Sequence, residues 1–331
     1  MNNYKLPCFY HPTTVTILDD DQIFLENITA NLNNKILYQK FDSPQKALTT
    51  LLSQQENSPT PQDFLQFSPN VSDEFSEHGK HPINLDLSGI YKKIFNPDRF
   101  NIPSVVIVDH DMPGMNGVTF CEKLNDTSIR KIMLTGVADH KIAINAFNKK
   151  IIHKFIMKDE PNIFKLIDEA VSEMQLDYFI NLSKIIIQNI TASTFSYLED
   201  KYFINFVLEY IKNNSIKEFY LIDPIGSFLF VNSEGKLIWF IVKSDQEISN
   251  DYQIAIDQNA PDDIIHMLAD RKKLLFLFSE DDYKQHVNQW YSHLHPTQKI
   301  ANIDGCFYSL IPDENVNKIS RAKSLSYTMT E

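Results

Sequence analysis

The stretch VVIVDHDMPGMNG, residues 105–117, decides the fold. VVIV is a β-branched apolar run of strand length that stops on Asp109, so a carboxylate stands at the carboxyl end of a buried strand. Pro113, Gly114, Asn116 and Gly117 then supply turn chemistry, and residues 118–124 read as a helix. The same grammar occurs earlier, where TVTIL, residues 14–18, runs into Asp19, Asp20 and Asp21.

Outward from these two runs, strands and helices alternate. Residues 22–33 read as a helix and 37–41 as a strand, and Ser43-Pro44 caps a helix through about residue 52. After Asp109 come strand 131–134, helix 138–148, strand 154–157 and helix 162–174. Five strands alternating with helices predict an α/β fold, a doubly wound five-stranded parallel sheet covered on both faces. Residues 53–100 interrupt the alternation with Ser, Pro, Asn, Asp and Gln, as in SPTPQDF, and read as an insertion with one amphipathic piece at 87–95.

The expected domains are 13–174 for the parallel sheet, 175–213 for an aromatic-rich helical linker, 214–313 for an α+β domain and 314–331 for a polar tail. In the third of these, FYLID, SFLFVN and LIWFIV are separated by PIG and SEGK and predict an antiparallel meander. Helices at 245–258 and 261–270, a strand KLLFLF, a helix at 281–293 and a strand near 305–311 complete it.

Composition narrows the function classes. The formal charge of -12 repels phosphate backbones and anionic lipid, and the short basic clusters Lys149-Lys150 and Arg271-Lys272-Lys273 do not make a phosphate-tracking surface, so direct DNA binding is not expected. Cys8, Cys121 and Cys306 are odd in number and widely spaced, which fits a reduced cytoplasm better than a disulfide framework or a zinc site. No apolar run reaches the roughly 20 residues needed to span a bilayer, so no membrane association is expected. His293 and His295 in QWYSHLHP read as helix-end residues, since no third ligand lies at metal spacing.

Ligands of open parallel sheets bind at the carboxyl ends of the strands, so Asp19, Asp20, Asp109 and Asp111 are placed to converge. Their mutual repulsion calls for a hard divalent cation, and magnesium is the expected cofactor. A carboxylate can attack a phosphoryl group and form an acyl phosphate, with a hydroxyl and an ammonium meeting the phosphoryl oxygens. Thr135 after KIML and Lys158 after KFIM stand at the ends of the next two strands and supply both groups.

These residues resemble the receiver domain of two-component response regulators over about residues 14–173, less the insertion. DHDMPGMNG is similar to the family's phosphoacceptor signature. The resemblance implies Asp109 as phosphoacceptor, Asp19 and Asp20 as the acidic pair, Asp111 as the residue whose backbone carbonyl reaches the metal, Thr135 as switch hydroxyl, Phe155 as aromatic switch and Lys158 as the lysine. It also implies strand order 2-1-3-4-5, a sensor histidine kinase or phosphotransfer protein as phosphodonor, and a homodimer formed on phosphorylation. The long insertion, and Asp159 where the family commonly has proline, depart from the pattern.

The α+β domain admits three readings: a protein-interaction or dimerising output with an unknown partner, a PAS-like ligand sensor suggested by Asp223, Gly226 and Asn232, or a nucleotide-binding or cyclase-like enzyme. The sequence has no phosphate-cradling glycine run and no separate enzyme motif there. A receiver joined to an uncommon output domain resembles, in architecture, a quorum-sensing response regulator.

Overall fold

The computed structural model describes residues 5–33, 36–55, 58–60, 65–67, 83–85, 87–277 and 290–313. They form two compact units, one from Pro7–Asn84 and Lys92–Ile186, the other mainly from Leu85–Tyr91 and Ile187–Ile319.

The first unit is built from β1 (Thr14–Leu18), α1 (Gln22–Asn31), β2 (Leu37–Phe41), α2 (Pro44–Gln55), β3 (Pro103–Asp109), α3 (Gly117–Lys123), β4 (Arg130–Thr135), α4 (His140–Asn148), β5 (Lys154–Met157) and the part of α5 (Ile163–Ser193) up to Ile186. The strands pair in the order β2-β1-β3-β4-β5, all parallel, the order that the receiver resemblance implies. Side chains alternate across the sheet. Val15, Ile17, Val105, Ile107, Ile132 and Leu134 meet Leu25, Ile28, Ile167 and Val171 of α1 and α5. Leu18, Val106, Val108 and Met133 meet Leu51, Phe120, Ala143 and Ala146 of α2, α3 and α4. Each fully buried Val, Ile or Leu contributes about 1.5–3 kcal/mol, so both faces hold the strand ends in place.

Local chemistry sets the helix starts. Asp21 accepts the N–H groups of Ile23 and Phe24 at the start of α1, Pro44 opens α2, and Asn116 accepts from Thr119 at the start of α3. The helix expected over 162–174 continues to Ser193, because no proline or glycine interrupts it and buried Tyr178, Leu182, Ile186 and Ile190 extend its apolar stripe. In the insertion, Ser88–Tyr91 is helical and Lys92–Phe95 a 3-10 turn.

In the second unit Asp200 caps α6 (Lys201–Asn213). The meander follows as β6 (Ile216–Leu221), β7 (Phe228–Asn232) and β8 (Leu237–Ser244), paired antiparallel. Asp223 accepts from the N–H groups of Gly226 and Ser227 in the first turn, and Asn232 from those of Glu234 and Lys236 in the second. Gly226 has φ +130°, and a Cβ there would meet the Phe203 ring at 2.8 Å, so only glycine fits. Asp223, Gly226 and Asn232, the residues behind the PAS-like reading, therefore have turn-forming roles.

Two helices, α7 (Asp245–Asp257) and α8 (Asp262–Ala269), lead to β9 (Lys273–Leu275), which pairs with β10 (Leu294–Pro296). Short β11 (Gln298–Lys299) pairs with β12 (Cys306–Asp313), which in turn pairs with β8 along its whole length. Phe206 and Tyr210 of α6 stack on Phe240 and Phe230 of the sheet, while Ile241 and Ile311 on the other face meet Leu274. The helix expected at 281–293 lies outside the described residues except for Trp290–His293, a 3-10 turn, and the tail 314–331 lies outside them entirely. No helix among the described residues is long and apolar enough to cross a membrane.

Candidate functional site

The carboxyl edge of the parallel sheet gathers the acidic residues. Asp19 follows β1 and its N–H bonds the Phe41 carbonyl of β2, so the two strand ends lock side by side. Asp109 closes β3 opposite Leu134 of β4. Asp19, Asp20 and Asp109 each present an oxygen within 4.8 Å of the others. Asp19 and Asp109 are 1% and 5% exposed, while Asp20 faces solvent.

Lys158, just past β5, reaches into this group. Its Nζ is 2.8 Å from Asp19 Oδ2 and 2.8 Å from Asp109 Oδ1. Its backbone N–H donates to the Thr135 carbonyl, which ties the lysine loop to the end of β4. The Lys158–Asp159 peptide is trans, as are all peptides among the described residues. Burial pushes the Asp19 carboxyl above its ordinary value, against the hydrogen bonds from Lys158 and the Asp21 N–H. Burial alone would lower the Lys158 ammonium, but its bonds to Asp109 and Asp19 win and hold it above its ordinary value.

The remaining expected residues sit around this core. Thr135 is fully buried and its hydroxyl donates to the Gly136 carbonyl at 3.1 Å, not to Asp109. The Asp111 side chain is exposed and stands apart from the three-carboxylate group, while its N–H donates to Asp109 Oδ2 at 3.2 Å. Phe155 of β5 is half-buried between His140 and Phe147 of α4, with edge-to-face centroid distances of 5.6 and 6.2 Å. His110 is buried, and its Nδ1 has no hydrogen-bond partner among the described residues.

The donor set suits a hard divalent cation. Three carboxylates against one ammonium leave a local charge of about two negative units, and oxygen is the donor type such ions prefer. Asp21 plays no part in that set, because its carboxylate is used as the cap of α1.

Phe24 is absent from the sequence-based set of site residues. Its ring lies under the Lys158 ammonium, 4.4 Å from Nζ to centroid. An aromatic residue in the first turn after a capping aspartate is the signal that points to it, since helical side chains lean back toward the helix start.

A doubly wound parallel sheet in this strand order, with buried carboxylates and a lysine at its carboxyl edge, defines a receiver domain. No profile of a known protein family matches the sequence, and no curated protein matches it. Among solved structures, the response regulator LqsR of Legionella pneumophila is 30% identical, with 99% of each chain covered and a TM-score of 0.77. A response regulator receiver domain protein from Clostridium thermocellum is 18% identical over 53% of this chain and 98% of its own, with a TM-score of 0.31. The chain belongs to the response-regulator family, and its likeness to LqsR runs through both units.

Proposed function

We propose that the chain is a phosphorylation-controlled response regulator that takes a phosphoryl group on Asp109. The observation that carries this reading is the meeting of Asp19, Asp20 and Asp109 with the Lys158 ammonium at one sheet edge.

A sensor histidine kinase or phosphotransfer protein is the donor in this reading. An Asp109 carboxylate oxygen attacks the phosphorus of a phosphohistidine, the P–O bond forms, and the P–N bond breaks with its electron pair leaving on the imidazole, which takes a proton from solvent. Asp19, Asp20, Asp109 and the backbone carbonyl of Asp111 would hold magnesium, which when bound neutralises charge on the transferring oxygens. Lys158 is already beside Asp109 and turns to the new oxygens. Thr135 must exchange its bond to Gly136 for one to the phosphoryl group. Water attacking the same phosphorus returns the free carboxylate.

The change is read out at β4, β5 and α4. As Thr135 moves inward, Phe155 follows toward the vacated space and leaves its contacts with His140 and Phe147. Ile144 and Phe147 of α4, three residues apart on one side of the helix, are 38% and 47% exposed and form an apolar patch suited to a second receiver. In this reading residues 13–174 receive the signal, 175–213 relay it and 214–313 deliver it to a protein partner without contacting DNA.

The test is intact-mass analysis of the full chain after incubation with acetyl phosphate. Wild-type protein gains one phosphoryl group with magnesium and none with EDTA, and Asp109→Asn gains none. Uptake by Asp109→Asn equal to wild type sinks the proposal.

A further inference from the structure

Lys158 has a third partner besides the two carboxylates. Phe24 sits at the third position of α1, where Asp21 accepts its N–H at 3.2 Å and so fixes the turn that carries it. The ring packs against the apolar cluster between the sheet and helices α1 and α5, and Lys158 Nζ lies over the ring, 4.4 Å from its centroid. The negative face of an aromatic ring attracts an ammonium, more strongly where water is partly excluded.

This geometry matters because the two carboxylates cannot hold Lys158 throughout a phosphoryl transfer. Asp109 gives up its free carboxylate when it becomes an ester of phosphate, and Asp19 is in the set suited to a cation. Only the ring keeps its charge distribution across the whole event. Asp159 follows Lys158 in an ordinary trans linkage, and the Lys158 N–H is tied to the Thr135 carbonyl.

We propose that Phe24 is a positioning residue for Lys158, its ring face holding the ammonium over the sheet edge so that it swings from Asp109 to the phosphoryl oxygens without leaving the site. This rests on the phosphoacceptor reading of Asp109. Phe24 touches neither the phosphoryl group nor the cation and acts through Lys158 alone.

The experiment uses the full-length protein with acetyl phosphate and two readouts. Phe24→Leu slows phosphoryl uptake by about 3- to 10-fold, the range expected for a partly desolvated cation–ring contact, and Phe24→Trp restores the wild-type rate. Phenylalanine carrying one, two and three ring fluorines at position 24 gives a stepwise decline, because fluorine drains the ring face at nearly constant size. Without any phosphodonor, the Lys158 ε-methylene protons lie upfield of the other lysines in wild type, from the ring current, and return to the common position in Phe24→Leu.

A missing upfield shift overturns the proposal at once, since the contact does not then exist in solution. Rates that stay flat along the fluorine series, while wild type takes up phosphoryl groups, overturn the positioning role alone and leave Phe24 as packing. Wild-type protein that shows the shift but takes up no phosphoryl group overturns the phosphoacceptor reading, and the positioning role with it.

Discussion

A Cβ placed on Gly117 would sit 2.4 Å from the carbonyl oxygen of Asp109 and 3.0 Å from the Cα of His110. Both are backbone atoms held by the ladder to β4 and by the Gly117 N–H bond to His110, so neither can swing aside. Gly117→Ala is therefore expected to lower stability by about 1–3 kcal/mol, the usual range for overpacking, and to displace the Asp109 loop. Urea unfolding reads the first effect. An unchanged midpoint means the loop is softer than the packing implies. A second residue-scale consequence concerns acid. His153 accepts the Lys131 N–H at Nδ1, and its Nε2 faces the Arg130 guanidinium at 3.3 Å. Burial first, then the charges of Arg130 and Lys131, push its pKa down to about 4; burial pushes fully enclosed His11 down to about 3. Both imidazoles are neutral in folded and unfolded chains above the ordinary value near 6.5. Their contribution to stability is complete there. As pH falls from 6.5 toward 4 the unfolded chain takes up protons that the folded one refuses, and stability is lost across that window. Urea midpoints should fall between pH 7.5 and 5, and His153→Gln should flatten part of that fall. An equally steep fall in the variant removes His153 as a cause.

At the scale of elements, two sheet cations tie α5 down: Lys154 of β5 pairs with Glu173, and Arg130 of β4, the more buried of the two, pairs with Asp177. Arg130 Nε is 2.8 Å from Asp177 Oδ2, and Nη2 donates to the Asp177 carbonyl at 3.2 Å. The Arg130 side chain is 10% exposed but that of Asp177 is 47% exposed, so the pair is worth less than a buried one. Asp177→Ala should cost about 1–2 kcal/mol, mostly from the buried guanidinium left with one partner fewer. Amide exchange should rise first in the middle of α5. A rise confined to α5's ends contradicts the pinning. Four of the five strands of the first unit are legible in the sequence because each is a compact apolar run followed by a charged or hydroxyl residue, while β2, LYQKF, is read from its apolar–polar alternation. TVTIL before Asp19 and VVIV before Asp109 also locate the site. The meander is legible from its turns, where PIG and SEGK carry glycines that the backbone needs. The length of α5 is harder to read, since Met174 and Gln175 mark no physical boundary: the stop comes only at residues 194–200, before the cap at Asp200. Phe24 is half legible: its place in the first turn after the capping Asp21 can be read, but its partner cannot. Its periodicity is that of a core position, and nothing along the chain says that the residue meeting its ring lies 134 positions away, at Lys158.

For the molecule as a whole, a formal charge of -12 keeps copies apart unless a specific apolar face overrides it. Ile144 and Phe147 provide such a face on α4, and the Phe155 ring packs edge-to-face against Phe147. Protein loaded with beryllofluoride, a phosphoryl mimic, is accordingly expected to sediment as a dimer and the free protein as a monomer. Phe147→Asp should hold the loaded form as a monomer while leaving uptake on Asp109 intact. Dimerisation unaffected by Phe147→Asp would move the interface elsewhere on the molecule. The expected dimer rests on the proposed phosphorylation of Asp109. Borohydride reduction of the acyl phosphate followed by peptide sequencing locates it directly. The predicted result is reduction at position 109 alone, requiring magnesium during loading. Reduction at Asp19, Asp20 or Asp111, or at no aspartate, contradicts it.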